Sequence, residues 1–210
     1  MKSTNLLKFE RALWKKGYCC IAGIDEAGRG PLAGPVVAAA VIFPQNQRII
    51  PQINDSKKLS PQKRLIAKKI IEKTALGVGI GIVSQTVIDE INILQATYRA
   101  MQDAVANLHI APDYALVDGR KGISLDMPFE CLVKGDARSM SIAAASIIAK
   151  VTRDEIMIDY EKEYPGYGFA RHKGYPTKMH VEAIRNAGLS PIHRRSFRPK
   201  QLMDIYESGK

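Results

Sequence analysis

The chain begins with a helical pattern and continues with strand-like segments. Apolar residues recur at helical spacing from Leu6 to Trp14, and Gly17 follows, which predicts a short N-terminal helix. Two apolar segments come next, with the sequences YCCIAGID and PVVAAAVIF. The second is almost wholly apolar, which is typical of a strand covered on both faces.

A second helix is predicted where a capping residue precedes a proline. Ser60 suits the N-cap and Pro61 the first turn, so the segment PQKRLIAKKIIEKTA is expected to be helical. Its expected apolar face consists of Leu65, Ile66, Ile70 and Ile71. In the following segment, LGVGIGIVS, glycine alternates with apolar residues, which predicts a third strand packed closely against another backbone.

The rest of the chain predicts two more strands and several helices. A long helix is expected from about Val87 to Leu108, strands at YALVDG and FECLVKGD, and a small-residue-rich helix at SMSIAAASIIAKVTRDEIMIDYEKEY. From Pro165 the sequence becomes aromatic, glycine-rich and basic, with a short helix near 178–186. We therefore predict an α/β domain over residues 1–164 and a C-terminal helical extension over 165–210, within a single structural unit.

Composition narrows the class of partner. Hydrophobic residues make up 46% of the 210 positions, and 31 Lys and Arg against 21 Asp and Glu leave a net charge of +10. Such a surplus favours a polyanionic partner, nucleic acid first and an acidic membrane surface second. The three cysteines form no CxxC pair, and neither a signal peptide nor a membrane-spanning segment is evident. We expect a cytoplasmic protein, monomeric and without an obligate protein partner.

Acidic residues fall at the ends of three predicted strands. Asp25 and Glu26 close the first strand, Asp118 closes the fourth, and Asp136 follows the fifth. The carboxyl ends of neighbouring strands in an open α/β sheet converge on one edge, so these four side chains are expected to meet. Clustered carboxylates without Cys or His favour Mg²⁺ or Mn²⁺, and two such ions about 4 Å apart assist phosphodiester hydrolysis.

The alternative is that each acid belongs to a surface turn. Asp before Gly is common in turns, and for Asp118 taken alone this interpretation is favoured. It is weaker for the segment IDEAGRG, where two acids close an apolar strand. Gly28 and Gly30 would let a ligand approach the backbone, and Arg29 adds donors for phosphate. The glycine spacing does not fit a dinucleotide-binding loop, and acids just before it would repel a pyrophosphate.

Seven segments together resemble one known family, the bacterial ribonucleases HII, which are type 2 ribonucleases H. The segments, in chain order, are GIDEAGRGPLAGPVVAAAVI, NDSKKLS, VDG, KGD, SIAAASIIAKVTRD, YPGYGFARHKGYPT and HRRSFRP. They extend over residues 20–199. The resemblance implies a ribonuclease H-like fold, a five-stranded mixed sheet flanked by helices, with C-terminal helices that close a substrate groove.

The resemblance also implies an activity and a site. The substrates would be RNA/DNA hybrids and DNA duplexes with embedded ribonucleotides, nicked 5′ of the ribonucleotide to leave 3′-hydroxyl and 5′-phosphate ends. The implied metal ligands are Asp25, Glu26, Asp118 and Asp136. The segment Gly28, Arg29 and Gly30 would contact the 2′-hydroxyl and nearby phosphates, and Tyr175 would pack on the sugar at the RNA–DNA junction.

Several other residues are weaker candidates. Lys57 and Lys58 suit phosphate contacts or a solvated loop, and the pattern does not decide between these. Arg171 and Lys173 alternate with aromatic residues, which suits nucleic-acid binding. His172 is expected at the surface, the segment AAASIIA in the core, and the tail HRRSFRPK in a non-specific basic patch.

Two other functions remain open at this point. One is a nucleic-acid-binding protein that keeps the fold without the chemistry, and the intact acids argue against it. The other is a resolvase-like or integrase-like nuclease of the same fold, and the complete GRG and HKGY segments argue against that.

Overall fold

The computed structural model describes residues 5–119 and 122–208. The helices are α1 Lys8–Lys15, α2 Pro61–Thr74, α3 Gln85–Ala106, α4 Met140–Glu163, α5 Phe169–His172, α6 Lys178–Ala187 and α7 Met203–Ser208. The strands are β1 Ile21–Ala27, β2 Val36–Ile42, β3 Gly77–Val83, β4 Tyr114–Asp118 and β5 Phe129–Leu132. Within the described ranges no helix is both long and apolar enough to cross a membrane.

The strands form one mixed sheet in the order β3-β2-β1-β4-β5. The strand β1 pairs antiparallel with β2 and parallel with β4, and β4 pairs parallel with β5. Helix α3 packs on one face, and α2 and α4 pack on the other. Because both faces are covered, every residue of β2 is buried. The expected five-stranded mixed sheet flanked by helices is confirmed.

Glycines let two helices lie directly on the sheet. A Cβ at Gly79 or Gly81 of β3 would come within 2.0 Å of a carbonyl oxygen of α3, which confirms the predicted close packing. On the opposite face, a Cβ at Gly23 of β1 would lie 2.1 Å from the main chain of Ser141. The start of α4 is therefore held against β1, beside the strand end that carries Asp25.

Helix α1 provides a buried carboxylate that accepts hydrogen bonds from the N-terminus of α4. The side chain of Glu10 is buried, and its Oε1 accepts hydrogen bonds from the Ser139 hydroxyl at 2.7 Å and the Ser141 N–H at 3.0 Å. Ser139 is also the N-cap of α4, because its Oγ accepts the N–H of Ile142. The first helix of the chain thus helps to anchor the helix that borders the acidic cluster.

Two helices form as predicted but differ from the predictions in part, and Ile70 and Ile71 of α2 do face the core. In α2 the buried residues are Ala67 and Ile71, whereas Leu65 and Ile66 are exposed. Because α2 lies beside α4 at the edge of the molecule, only a narrow stripe of it is covered. The long helix α3 begins at Gln85 and is interrupted at Asn92, where φ is 65° and ψ is 164°.

The Asn92 side chain stabilises this interruption. Its Oδ1 accepts the N–H groups of Leu94 at 2.9 Å and Gln95 at 3.2 Å, as an N-cap does. The helical part after Asn92 therefore starts anew, which hydrophobic spacing alone does not reveal.

Candidate active site

Two parallel strands bring three of the predicted acids together. Ile24 of β1 lies beside Val117 of β4, so Asp25 and Asp118 leave neighbouring strands side by side. Carboxylate oxygens of Asp25, Glu26 and Asp118 all lie within 4.8 Å of one another. The acids that the sequence separates by more than ninety positions are therefore brought to one point, as the convergence of strand ends requires.

Burial and mutual repulsion disfavour the charged forms of these acids. Desolvation raises the pKa of Asp25 well above its usual value, and repulsion from Glu26 and Asp118 adds to this. Desolvation also raises the pKa of Glu26, although the Arg29 guanidinium, 3.3 Å from its Oε1, opposes this. The pKa of Asp118 is raised by burial, too. A cation between the three carboxylates would relieve these penalties.

Asp136 lies next to this group rather than within it. It belongs to the short 3₁₀ turn Gly135–Ala137, and its charge raises the pKa of Asp118. The N–H of Gly135 donates to Asp118 Oδ1 at 2.6 Å, which ties the turn to the end of β4. The tight group of three thus comprises Asp25, Glu26 and Asp118, with Asp136 on the Asp118 side.

Two serines connect the acids to a neighbouring loop. Ser146 of α4 is buried, as expected of the segment AAASIIA, but its hydroxyl also hydrogen-bonds the Asp25 carboxylate and lowers the pKa of that group. On its other side Ser146 Oγ lies 2.8 Å from Ser56 Oγ. Ser56 starts the 3₁₀ turn that carries Lys57, so the serine pair joins this loop to the acidic cluster.

The acids line a cavity of about 230 Å³ with several of the other predicted residues. Its walls are formed by Asp25, Glu26, Ala27, Gly28, Arg29, Gly30, Ser56, Lys57, Asp118, Ser146, Lys150 and Tyr175. The ring of Tyr175 faces Gly30, where a Cβ would lie 3.7 Å from the ring. The cavity thus combines carboxylates, main chain free of side chains, two lysines and an exposed aromatic ring.

Two buried arginines hold the glycine-rich segment in its shape. Arg194 donates to the carbonyls of Gly28 at 2.6 Å, Arg29 at 3.0 Å and Gly34 at 2.8 Å. Gly28 has a φ of +100°, and a Cβ there would come within 2.2 Å of Arg153 Nε. The conformation of this segment therefore requires a glycine at 28 and a guanidinium behind it.

The second arginine joins the glycine-rich segment to the segment before Tyr175. Arg153 of α4 donates to the carbonyls of Ala33 at 3.0 Å, Pro35 at 2.9 Å and Lys173 at 3.0 Å. Burial lowers the pKa of Arg153 to about 10 and that of Arg194 to about 9, so both guanidinium groups stay charged at neutral pH. The two loops that border the cavity are thus bound to one pair of cations.

These arginines correct one prediction from the sequence. Arg194 lies in the tail HRRSFRPK, which we expected to form a basic surface patch, yet its side chain is fully buried. Arg195 and Arg198 in the same segment are exposed. Three arginines so close in sequence give no sign of which one points inward, because the choice depends on which carbonyls the fold brings there.

The other basic candidates divide between two grooves. Lys57 lines the acidic cavity, and its charge lowers the pKa of Asp118. Lys58 is exposed and lies 3.9 Å from Asp55, whose side chain caps the turn Ser56–Lys58. Arg171 and Lys173 line a separate groove of about 380 Å³ between α2, α4 and α5. Lys150 lines both grooves.

His172 is not a surface residue. It is buried, together with His180 and His193, and the rings of His172 and His180 stack at 4.3 Å. The sequence places these histidines at irregular intervals, so their association was not predicted. The turn from α5 into α6 and the approach of the residues after α6 bring them together.

The donors around the acidic cluster fit a hard divalent cation. The three carboxylates supply only oxygen, and the cavity wall holds neither Cys nor His. Mg²⁺ and Mn²⁺ prefer this donor set.

Comparisons with known proteins assign the chain to a family. The family model "Ribonuclease HII" matches residues 22–200. The chain is 57% identical over 194 residues to the ribonuclease HII of Geotalea uraniireducens, with 92% of this chain and 89% of the relative covered. The crystal structure of ribonuclease H2 from Pyrococcus horikoshii matches with a TM-score of 0.74 and 27% identity, over 90% of this chain and 98% of that one.

A further solved structure is similar over nearly the same range. The PCNA:RNase HII complex from Archaeoglobus fulgidus matches with a TM-score of 0.73 and 26% identity, over 88% of this chain and 96% of that one. The matched folds are those of ribonucleases H, in agreement with the sheet order and the acids at its edge. The chain therefore belongs to the ribonuclease HII family, and it is a ribonuclease H enzyme.

Proposed function

We propose that the chain cleaves phosphodiester bonds at ribonucleotides within duplexes that contain DNA. The substrates are RNA/DNA hybrids and single ribonucleotides embedded in DNA, and the products are 3′-hydroxyl and 5′-phosphate ends. One observation carries this proposal: the acids Asp25, Glu26 and Asp118 share a single cavity with the Gly28–Gly30 segment and Tyr175. Cleavage of the phosphodiester bond and recognition of the sugar can then take place at the same nucleotide.

The acids hold the divalent ions in this proposal. Asp25, Glu26 and Asp118 bind Mg²⁺ or Mn²⁺, and Asp136 joins them from the Asp118 side. The chemistry that such ions supply is activation of the attacking water and neutralisation of the charge on the departing oxygen. Ser146 orients the Asp25 carboxylate through its hydrogen bond, and the positive charge of Lys57 attracts the phosphate.

The sugar is recognised by the glycine-rich segment and Tyr175, which line the same cavity as the acids. The 2′-hydroxyl is what distinguishes a ribonucleotide from a deoxyribonucleotide. The exposed main chain at Gly30 offers donors and acceptors without a side chain in the way, and the Tyr175 ring offers a flat surface for the sugar. Arg29 is half exposed and can exchange its contact with Glu26 for a phosphate. Lys58, Arg171 and Lys173 would contact the duplex farther out.

A duplex with one ribonucleotide tests the activity. With Mg²⁺ or Mn²⁺ present, we expect a single nick 5′ of the ribonucleotide, and EDTA should abolish it. An all-DNA duplex of the same sequence is the control and should stay intact. Cleavage in EDTA would refute the metal dependence, and cleavage of the all-DNA duplex would refute recognition of the ribonucleotide.

The variant Gly30→Ala tests the role of the glycine-rich segment. A Cβ at residue 30 meets only the Tyr175 ring at 3.7 Å, so we expect the free energy of unfolding to change by less than about 0.5 kcal/mol. A methyl group at this position would push back the sugar, and kcat/KM for the single-ribonucleotide duplex should fall about tenfold, the value of one lost hydrogen bond.

The same variant has an internal control. Binding to an all-DNA duplex should not change, because phosphate contacts do not depend on the 2′-hydroxyl. Unchanged kcat/KM for the ribonucleotide substrate would show that the sugar does not approach residue 30.

A further inference from the structure

Three buried histidines lie behind the Tyr175 segment. The rings of His172 and His180 are 4.3 Å apart, and those of His180 and His193 are 5.1 Å apart. All six ring nitrogens have hydrogen-bond partners, which leaves no lone pair for a metal ion. The cluster therefore has a different role from the carboxylates, and its hydrogen bonds indicate which.

The main chain determines the tautomer of His193. Its Nδ1 accepts the N–H of Ser190 at 2.8 Å, and the Ser190 hydroxyl lies at the same distance. A main-chain N–H can only donate, so Nδ1 carries no proton, and the proton of the neutral ring is on Nε2. The Ser190 carbonyl is farther away, at 3.3 Å.

The main chain also determines the tautomer of His180. Its Nδ1 lies 3.0 Å from the carbonyl oxygen of Tyr175. A carbonyl can only accept, so Nδ1 carries the proton and Nε2 is bare. The Nε2 atoms of His180 and His193 are 3.0 Å apart, and His193 donates to His180. The partner of His193 Nδ1 and the partner of His180 Nδ1 thus independently require that His193 donates and His180 accepts.

Both rings are neutral at neutral pH. Burial, with repulsion from His172, lowers the pKa of His180 to about 4, and burial, with repulsion from His180, lowers that of His193 to about 3. A proton added to Nε2 of His180 would face the Nε2–H of His193 and break the contact. The arrangement therefore exists only in the neutral form.

We propose that His193 and His180 form a positioning relay, from the Ser190 main chain to the Tyr175 carbonyl, that holds the Tyr175 ring opposite Gly30. The relay acts on the segment together with His172, whose Nδ1 accepts the N–H of Gly174 at 3.1 Å. The Gly174 carbonyl in turn accepts the N–H of Leu32 at 2.8 Å, within the loop that follows Gly30.

The relay would matter for recognition because the Tyr175 ring is itself exposed. The residue is 41% accessible, so its main chain has to be held from behind if the ring is to meet a sugar at a defined place. This inference rests on the proposed role of Tyr175 in recognising the ribonucleotide. His180 and His193 touch neither substrate nor metal, and they are positioning residues.

Two amide variants of His180 separate its two hydrogen bonds. The amide nitrogen of Asn can replace Nδ1 of His180 as a donor, and the amide oxygen of Gln can replace its bare Nε2 as an acceptor. His180→Gln keeps the contact with His193 and loses the donor to Tyr175, and we expect KM for the single-ribonucleotide duplex to rise roughly tenfold with kcat little changed. His180→Asn keeps that donor but loses the acceptor for His193, so KM should rise by a smaller factor, about threefold. An unchanged KM in His180→Asn would overturn the relay, because the contact with His193 would then contribute nothing.

The Tyr175→Ala background shows whether His180 acts through the ring. The alanine keeps the carbonyl and removes only the ring, so His180→Gln should change kcat/KM less than about twofold in this background. A tenfold effect in both backgrounds would refute the positioning role. If Tyr175→Ala alone leaves cleavage unchanged, the proposed recognition by Tyr175 fails instead.

The tautomers offer a readout that needs no activity. In ¹⁵N-histidine-labelled wild-type protein, ¹H–¹⁵N correlations should find His193 and His172 protonated at Nε2 and His180 protonated at Nδ1. Protonation of His180 at Nε2 would overturn the relay whatever the variants do. The outcome is independent of the proposed function, so failure of the relay and failure of the function can be distinguished.

Discussion

The variant Asp25→Asn is expected to lose turnover by about 10³-fold or more, since metal-ion catalysis contributes several kcal/mol to the barrier and each 1.36 kcal/mol is worth a factor of ten. Asp25 is the most buried of the three clustered acids, and Asn keeps its shape and can still accept from Ser146. Substrate binding should persist, because the change removes negative charge that faces the phosphates. Single-turnover cleavage and equilibrium binding measure the two effects separately.

The stability of the same variant gives a second readout. Burial raises the pKa of Asp25, so its charged form destabilises the metal-free protein at neutral pH. The thermal midpoint in EDTA should therefore be higher for Asp25→Asn than for the wild type, and added Mg²⁺ should stabilise the variant less. Asp126→Asn, the same change on an exposed residue, should alter neither activity nor stability. Turnover within tenfold of the wild type would refute a catalytic role for the acidic cluster.

The second large effect is expected from Arg194→Met. The guanidinium donates to the carbonyls of Gly28, Arg29 and Gly34, and its loss would leave these groups buried without donors. We expect the free energy of unfolding to fall by about 3–5 kcal/mol, because each unsatisfied buried group costs about 1–3 kcal/mol and part of the loop can relax towards water. Thermal or urea-induced unfolding measures this.

A neighbouring arginine offers a matched control for Arg194. Arg195→Met changes the net charge equally, but its side chain is exposed, and the free energy of unfolding should change by less than about 0.5 kcal/mol. If the two variants were equally stable, the hydrogen bonds to the glycine-rich loop would contribute nothing to folding. At low temperature, folded Arg194→Met should also cleave ribonucleotide substrates more slowly, since the Gly28–Gly30 segment loses its support.

Short-range patterns explain why the elements could be predicted. The apolar run of β2, the glycine alternation of β3 and the Ser60–Pro61 start of α2 each depend on local geometry, and the structure confirms all three. The prediction for α2 was wrong only about its covered face, since that depends on where α4 lies. The interruption of α3 was missed because Asn92 adopts an uncommon positive φ that its own side chain stabilises locally.

The acids were predictable for a different reason. Strand ends in an α/β sheet converge, so acids that close apolar strands carry information about their position in space. Asp25, Glu26 and Asp118 do meet, whereas Asp136 lies beside the group because it follows β5 by several residues within a 3₁₀ turn. The contact of Ser146 with Asp25 was missed, since a serine within an apolar helix resembles any other small core residue.

The amino-acid sequence alone determined the strands and helices, the class of fold and the acids at the sheet edge, because apolar periodicity and strand-end acids are local signals. Only the tertiary structure decided which basic and imidazole side chains point inward. Arg153 and Arg194 bind carbonyls more than 100 positions away in sequence, and a carbonyl leaves no trace in the residue type that carries it. The three histidines bind nearby main-chain groups, but they contact one another only once α5, α6 and the residues after α6 have come together. The shape of the loops around the cavity, unlike the identity of the acids, therefore depends on contacts that form only when the chain is folded.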